Sequence, residues 1–343
     1  MKKTILFMAV FAMIASCKKK SDEIAKPDEQ ENLARDIELV VKGATQESKP
    51  LYERPETYNF LGFGYDVADK FNDEESVRAS VVDVLAYAAS GPQKINVNRS
   101  TNGSWETIQA KNAVELAEKF SNSYKETRGL KLFGNTIEKT FPGTVVTDKK
   151  YIYGYYSNYA VWRRYSFYYE QSVNNFLTAG FKRDMILLSA SELVHKYGTH
   201  VLAGIEMGAK FDVVYQAVAP EVNRENIIME GLRYALKRTF GLPTGYLDEV
   251  NLRDLNANSS AQIYYSSIGG DMSKLQTEII NNRLMLNITN WRSTATEDKA
   301  RFIGVFGDRL VPLYHFIDDP AKKALVKSYL EQYFAEKAVR LTN

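Results

Sequence analysis

From Val201 to Tyr215 every odd position is apolar: Val201, Ala203, Ile205, Met207, Ala209, Phe211, Val213 and Tyr215. Between them stand Leu202, Gly204, Glu206, Gly208, Lys210, Asp212 and Val214, most of them glycine or charged. Alternation this regular predicts a β-strand with one buried face. At about 3.3 Å per residue the run extends on the order of 50 Å, whereas ordinary strands hold about 5–6 residues. A strand of that length needs partners of similar length. Gly204 and Gly208, both on the more polar side, predict a bend or a close approach by a neighbouring backbone.

The search for partners gives three further segments. Tyr151 to Tyr169 is dense in Tyr, Trp and Phe, which suits a sheet. It reads either as an aromatic platform for a membrane or glycan or as sheet packing, and sheet packing is the favoured reading. Gln262–Gly269 and Gln93–Arg99 are the other strand candidates. Helical periodicity occupies the stretches between them. Phe181–Tyr197 repeats apolar residues at helical spacing and runs directly into the long strand. Asn226–Phe240 puts Ile228, Leu232, Ala235, Leu236 and Phe240 on one face, with Gly241 as its cap. A last helix follows Asp318-Asp319, with Pro320 in an early position and a stripe of Leu330, Phe334, Ala338 and Leu341. Long strands separated by helical stretches indicate an α+β domain.

The N-terminus reads as an export signal. Lys2 and Lys3 precede an apolar run from Ile5 to Ile14, too short for a transmembrane helix of about 20 residues. The run ends in Ile14-Ala15-Ser16-Cys17, which resembles the lipobox of bacterial lipoproteins. Residues 1–16 are therefore expected to be removed and Cys17 lipidated, with 17–50 a flexible tether and 51–343 one domain. Cys17 is the only cysteine, so no intrachain disulfide can form. The run Lys18-Lys19-Lys20-Ser21-Asp22-Glu23 is either a solvated linker or, by loose resemblance, a signal for the outer face of an outer membrane. The expected location is thus the outer membrane, at the cell surface or released from it. The formal net charge is +2, and both surplus positives, Lys2 and Lys3, leave with the signal. A balanced mature surface argues against a nucleic-acid partner.

Catalytic patterns are missing from the sequence. The three histidines are His195, His200 and His315. The first two are five apart across a helix end, not at the i, i+4 spacing of a helical zinc pair. No G-x-S-x-G elbow or P-loop occurs. A non-enzymatic protein with no metal and no cofactor is expected.

One constellation stands out. Tyr197-Gly198-Thr199-His200 sits where the Phe181–Tyr197 helix meets the long strand. Alone it is a helix stop, with Gly198 free to take a left-handed conformation. In this setting it resembles the signature of the membrane-attack-complex/perforin (MACPF) family. Further matches follow in order: Gly62, Gly64, Tyr65 and Asp66 in Leu61-Gly62-Phe63-Gly64-Tyr65-Asp66; Tyr165-Ser166-Phe167; Ile268-Gly269-Gly270-Asp271; Trp291-x-x-Thr294; and Val311-Pro312-Leu313-Tyr314. They span roughly residues 58–335. Thr294 stands where the family usually has Ser, and Gly208-Ala209 where it often has two glycines.

The resemblance implies a bent four-stranded antiparallel central sheet flanked by two helical clusters, with Gly269 and Gly270 as a hinge. In pore-forming members the clusters unfurl into β-hairpins that many copies join into a barrel. By position the first cluster falls within Glu126–Asp148 and the second within Ala219–Ser260. In the second, Ile228, Leu232, Tyr234, Leu236 and Phe240 share one parity and form a candidate membrane-inserting face, interrupted by Glu230 and Arg238. Pro142 in the first cannot donate to a ladder, and helical periodicity is the stronger of the two patterns. Two functions follow. One is a pore-forming toxin that assembles as a homo-oligomer on the lipid membrane of competing bacteria or host cells. The other is a non-lytic surface lipoprotein that binds a glycan or protein receptor.

Overall fold

The computed structural model describes residues 39–43, 49–168, 170–222, 224–242, 259–280 and 283–342. Its strands are β1 (Leu39–Gly43), β2 (Phe63–Tyr65), β3 (Val77–Ser80), β4 (Ile95–Asn98), β5 (Asn102–Ala110), β6 (Tyr151–Phe167), β7 (His200–Leu202), β8 (Gly204–Val218), β9 (Ser259–Ile268), β10 (Gln276–Ile280), β11 (Arg283–Asn287), β12 (Arg301–Val305) and β13 (Leu310–Pro312). The alternating run is therefore two strands, broken at Ala203, whose amide donates to the Arg309 carbonyl.

β8 pairs antiparallel with the 17-residue β6 from Ser166↔Gly204 to Tyr151↔Val218. On the far side of β6 lie β4 and then β5, end to end. On the far side of β8 lie β12 and then β9, again end to end. β1 adds to the outside of β9 in parallel. The central sheet thus has seven strands and is mixed, which corrects the expected four antiparallel strands. The physical reason is that both outer lanes are split, and that a strand from the N-terminal segment read as tether covers the β9 edge. A second sheet, in the order β13-β7-β2-β3, adjoins the first through β7, which runs into β8 after one residue.

The expected Phe181–Tyr197 helix is two helices, Ala179–Leu187 and Ala190–Tyr197. Ser189 divides them as an N-cap, in a reciprocal capping box with Glu192. The last helix, Pro320–Lys337, buries Val326 and Leu330, while Ala338 is already its cap.

β8 is covered on both faces. Its odd residues Ala209, Phe211, Val213, Tyr215 and Ala217 join a core under the Arg224–Phe240 helix. Of its even residues, Val214 packs in a larger core with Tyr153, Tyr155 and Phe120. Lys210 is also buried on that side, paired with Asp212 at 2.7 Å. Asp212 in turn accepts from Ser157 at 2.6 Å and Tyr155 at 3.1 Å. The polar positions on this side are a partly buried hydrogen-bonded row, with Lys210 the buried member and Glu206 paired to Arg164.

Candidate functional site

The two glycine-containing motifs meet in space. Gly64 pairs with Val201 and Tyr65 with His200 in the β2–β7 ladder. The contact is so close that a Cβ on Gly64 would lie 1.8 Å from the Tyr197 carbonyl oxygen. A Cβ on Gly198, at φ 75, would lie 2.7 Å from the Tyr65 carbonyl. Gly62 likewise holds a positive φ of 76. Thr199 donates from its amide and its hydroxyl to the Tyr65 carbonyl, both at 3.0 Å, and its hydroxyl accepts from the Val67 amide at 3.1 Å. Tyr197 donates to Asp184 at 2.9 Å. Asp66 accepts from the Ala68 amide and from the Tyr333 hydroxyl, each at 3.0 Å. His200 is buried, stacked on Phe334, with Nδ1 2.9 Å from the Thr199 hydroxyl. Burial, with a smaller effect from His315, lowers its pKa to about 3. The ring is therefore held neutral between Thr199 and Phe334. Among the described residues no group of three or more His, Cys, Asp or Glu side chains could hold a metal ion.

A second set of irregularities forms a line across the sheet. The β6–β8 register shifts between Val161 and Arg163, leaving Trp162 as the extra residue. At the same level β12 shifts between Phe302 and Gly304, and β4 gives way to β5 between Asn98 and Asn102. β9 ends there at Ile268, and Gly269 and Gly270 turn away with φ 72 and 69. Extra residues in neighbouring strands increase local twist and bend a sheet. Gly208 permits a close approach here, since a Cβ would lie 1.9 Å from the Ala160 carbonyl oxygen.

The Trp291-x-x-Thr294 motif clamps this corner. Trp291 Nε1 donates to the Gly269 carbonyl at 3.0 Å. The Thr294 hydroxyl accepts from the Asp271 amide at 2.9 Å and donates to the Trp291 carbonyl at 2.7 Å. Threonine fills this role through the same hydroxyl that serine has. Trp162 donates to the Ala295 carbonyl at 3.0 Å, so the bulge and the clamp are tied together. Sequence reading identified Trp291, Gly269 and Gly270 but not Trp162, because nothing in a run of aromatics marks which one leaves the register.

The second cluster lies below the bend. Ile228, Leu232, Leu236 and Phe240 are buried against the sheet, while Tyr234 is only partly buried and accepts from Arg238. Four of the five residues of the candidate inserting face thus form an i, i+4 stripe in the helix, and Tyr234 stands beside it. Phe240 packs edge-on to Phe211 and Tyr265. Glu230 is buried with one oxygen paired to Arg233 at 2.9 Å and the other without a partner. The Thr239 hydroxyl is likewise buried and unpartnered. Residues 243–258, which carry the second arm of this cluster, lie outside the described residues, as does Cys17.

The first cluster is less helical than expected. It contains a 3-10 turn at Lys125–Thr127 and a four-residue helix at Asn135–Glu138. Side chains from the body hold the rest. Asp69 accepts from Asn135 at 3.0 Å and Lys139 at 2.9 Å, and Thr136 accepts from the Phe71 amide at 2.8 Å. Tyr153 of β6 donates to the Val146 carbonyl at 2.6 Å.

The MAC/Perforin domain model matches residues 55–342. Among solved structures, a MAC/Perforin-domain protein from Bacteroides thetaiotaomicron superposes with a TM-score of 0.65 at 18% identity, over 84% of this chain and 64% of that one. GNIP1Aa from Chromobacterium piscinae superposes with a TM-score of 0.64 at 16% identity, over 82% of this chain and 57% of that one. The chain therefore covers less than two thirds of the length of either. No curated protein matches.

Proposed function

Because the chain belongs to the MAC/Perforin family, we propose that it is a pore-forming protein that assembles as a homo-oligomer on a lipid membrane, without enzymatic chemistry. The observation that carries this reading is the sheet with its two packed clusters. Both clusters connect strands at the same end of the sheet: the first joins β5 to β6, and the second joins β8 to β9. If each cluster extends, all four strands lengthen in the same direction as two hairpins. The ladder already points that way, since the Ala219 amide donates to the Lys150 carbonyl just past the last β6–β8 pair.

Energetics set the conditions. Ile227, Ile228, Leu232, Leu236 and Phe240 are buried in the second cluster, and each such side chain contributes about 1.5–3 kcal/mol. The helix does not leave the sheet unless lipid takes over that burial. Extended, Ile228, Leu232, Tyr234, Leu236 and Phe240 present one row to lipid. Glu230 and Arg238 fall in the same row, and an Arg there costs about 2–4 kcal/mol at mid-bilayer and less near the interfaces. Assembly uses the sheet edges. β5 pairs only with β6 among the described residues and exposes Trp105, and an unpaired edge is a template for another strand. The opposite edge, β9, becomes available when β1 leaves it.

Lipidation at Cys17 and delivery at the outer membrane surface belong to the same proposal. They rest on the apolar run and its Ile14-Ala15-Ser16-Cys17 ending. The test is dye release from liposomes of varied composition and from vesicles of bacterial and animal membranes. Release with ring-shaped assemblies is expected. Binding without release from any membrane would instead favour a non-lytic adhesin or glycan-binding lipoprotein, the reading that the two charges in the inserting row support.

A further inference from the structure

The chain leaves its last helix at Lys337 and crosses the first cluster twice. The Val339 amide donates to the Lys131 carbonyl at 2.8 Å, and the Val339 side chain is buried in the same core as Leu132, Phe133 and Ile137. It packs so tightly that a Cβ on Gly134 would lie 2.8 Å from Val339 Cγ2. Three residues on, the Thr342 amide donates to the Thr147 carbonyl at 3.1 Å, Thr342 bridges Asp148 in parallel, and the two threonine hydroxyls stand 3.3 Å apart. Four residues therefore span from position 131 to position 147, from the middle to the far end of the 111–150 stretch that joins β5 to β6.

We propose that Val339–Thr342 is a strap that keeps the first cluster folded until the membrane-bound protein releases it. This rests on the pore-forming reading. The strap lies where it blocks most. β6 begins at Tyr151, so an arm that lengthens it backward adds Lys150, Lys149, Asp148 and Thr147 first. Thr342 takes the carbonyl of one of those four, Thr147, and bridges a second, Asp148. A strand cannot grow through residues whose amides and carbonyls are already engaged elsewhere. The strap is itself anchored, because the helix before it is pinned by buried Val326 and Leu330 and by Tyr333 donating to Asp66 at 3.0 Å. The described part of the second cluster carries two buried unpartnered oxygens, at Glu230 and Thr239.

The test uses the full mature chain with Cys17→Ser, so that introduced cysteines have no competitor. Thr342→Pro removes the amide donated to Thr147. Amide exchange within 131–148 should then rise by about fivefold, the loss expected for one backbone hydrogen bond, while exchange in 224–240 stays as in the parent. The same variant should shorten the lag before dye release. Thr147→Cys with Thr342→Cys, oxidised, should bind vesicles but release no dye until a reductant is added. Release by the oxidised form at the parent rate overturns the strap. If the parent itself releases no dye, the pore reading fails, and exchange alone judges the strap: unchanged exchange in 131–148 for Thr342→Pro overturns it.

Discussion

His200 carries a side chain that looks chemical, and its surroundings support a structural role. Its imidazole is enclosed by the β2–β7 ladder, Phe334 and Thr199, and burial lowers its pKa from 6.5 to about 3. A histidine held neutral in the fold contributes stability that is present above the unfolded value of 6.5 and is lost as pH falls from there toward about 3. Two outcomes are expected. The His200 ring signals in an NMR titration stay constant from pH 8 to pH 5, and His200→Ala lowers the melting temperature more at pH 7 than at pH 4. A ring that titrates near 6.5 would contradict this placement. Trp291 makes the parallel case: Trp291→Phe keeps an aromatic ring but leaves the buried Gly269 carbonyl without its donor. The cost should be about 1–3 kcal/mol, read by denaturant unfolding.

At the scale of elements, the sheet's bend is the feature most open to test. Gly270 combines a positive φ of 69 with a neighbour 2.9 Å from any added Cβ, the Trp291 indole nitrogen. Gly270→Val should destabilise the protein by about 1–3 kcal/mol through backbone strain. Gly270→Ala is milder and serves the hinge proposal: it should leave a folded protein that binds membranes and assembles more slowly. A Gly270→Ala protein identical to the parent in melting temperature and dye-release rate would remove Gly270 from the hinge.

The elements also show where sequence reading reached its limit. β8 and the Arg224–Phe240 helix were legible from an unbroken period, β6 from its density of aromatic residues, and β9 as a short strand candidate. β5 was not, since Asn102, Gly103 and Ser104 carry no alternation and the strand is an exposed edge. β1 and β12 were missed because five-residue strands carry little pattern and their pairing is entirely non-local. The split at Ser189 was missed for a different reason: the apolar spacing continues through it, and only the Ser-x-x-Glu box marks the new start. The motif residues themselves were legible, but their meeting was not. That Gly64 lies against Tyr197, or that Trp291 caps Gly269, is a fact of tertiary packing.

On the scale of the whole molecule, one arrangement organises the rest: a long bent sheet, a glycine corner clamped by Trp291 and Thr294, and two packed segments leaving the same end. The account holds that the Arg224–Phe240 helix must leave the sheet for the protein to act. A Cβ built on Gly154 lies 3.1 Å from Leu232 Cβ, near the range of about 3.5–4.5 Å found in disulfides. In a Cys17→Ser background, Gly154→Cys with Leu232→Cys therefore pins the middle of that helix to β6. The measurement is dye release from a membrane that the parent permeabilises, by the same sample before and after reduction. The account predicts that the oxidised protein binds and releases nothing, and that reductant restores release to the level of the never-oxidised control. Equal release by the oxidised and reduced forms would contradict it, because the helix would then have stayed on the sheet while the membrane was breached.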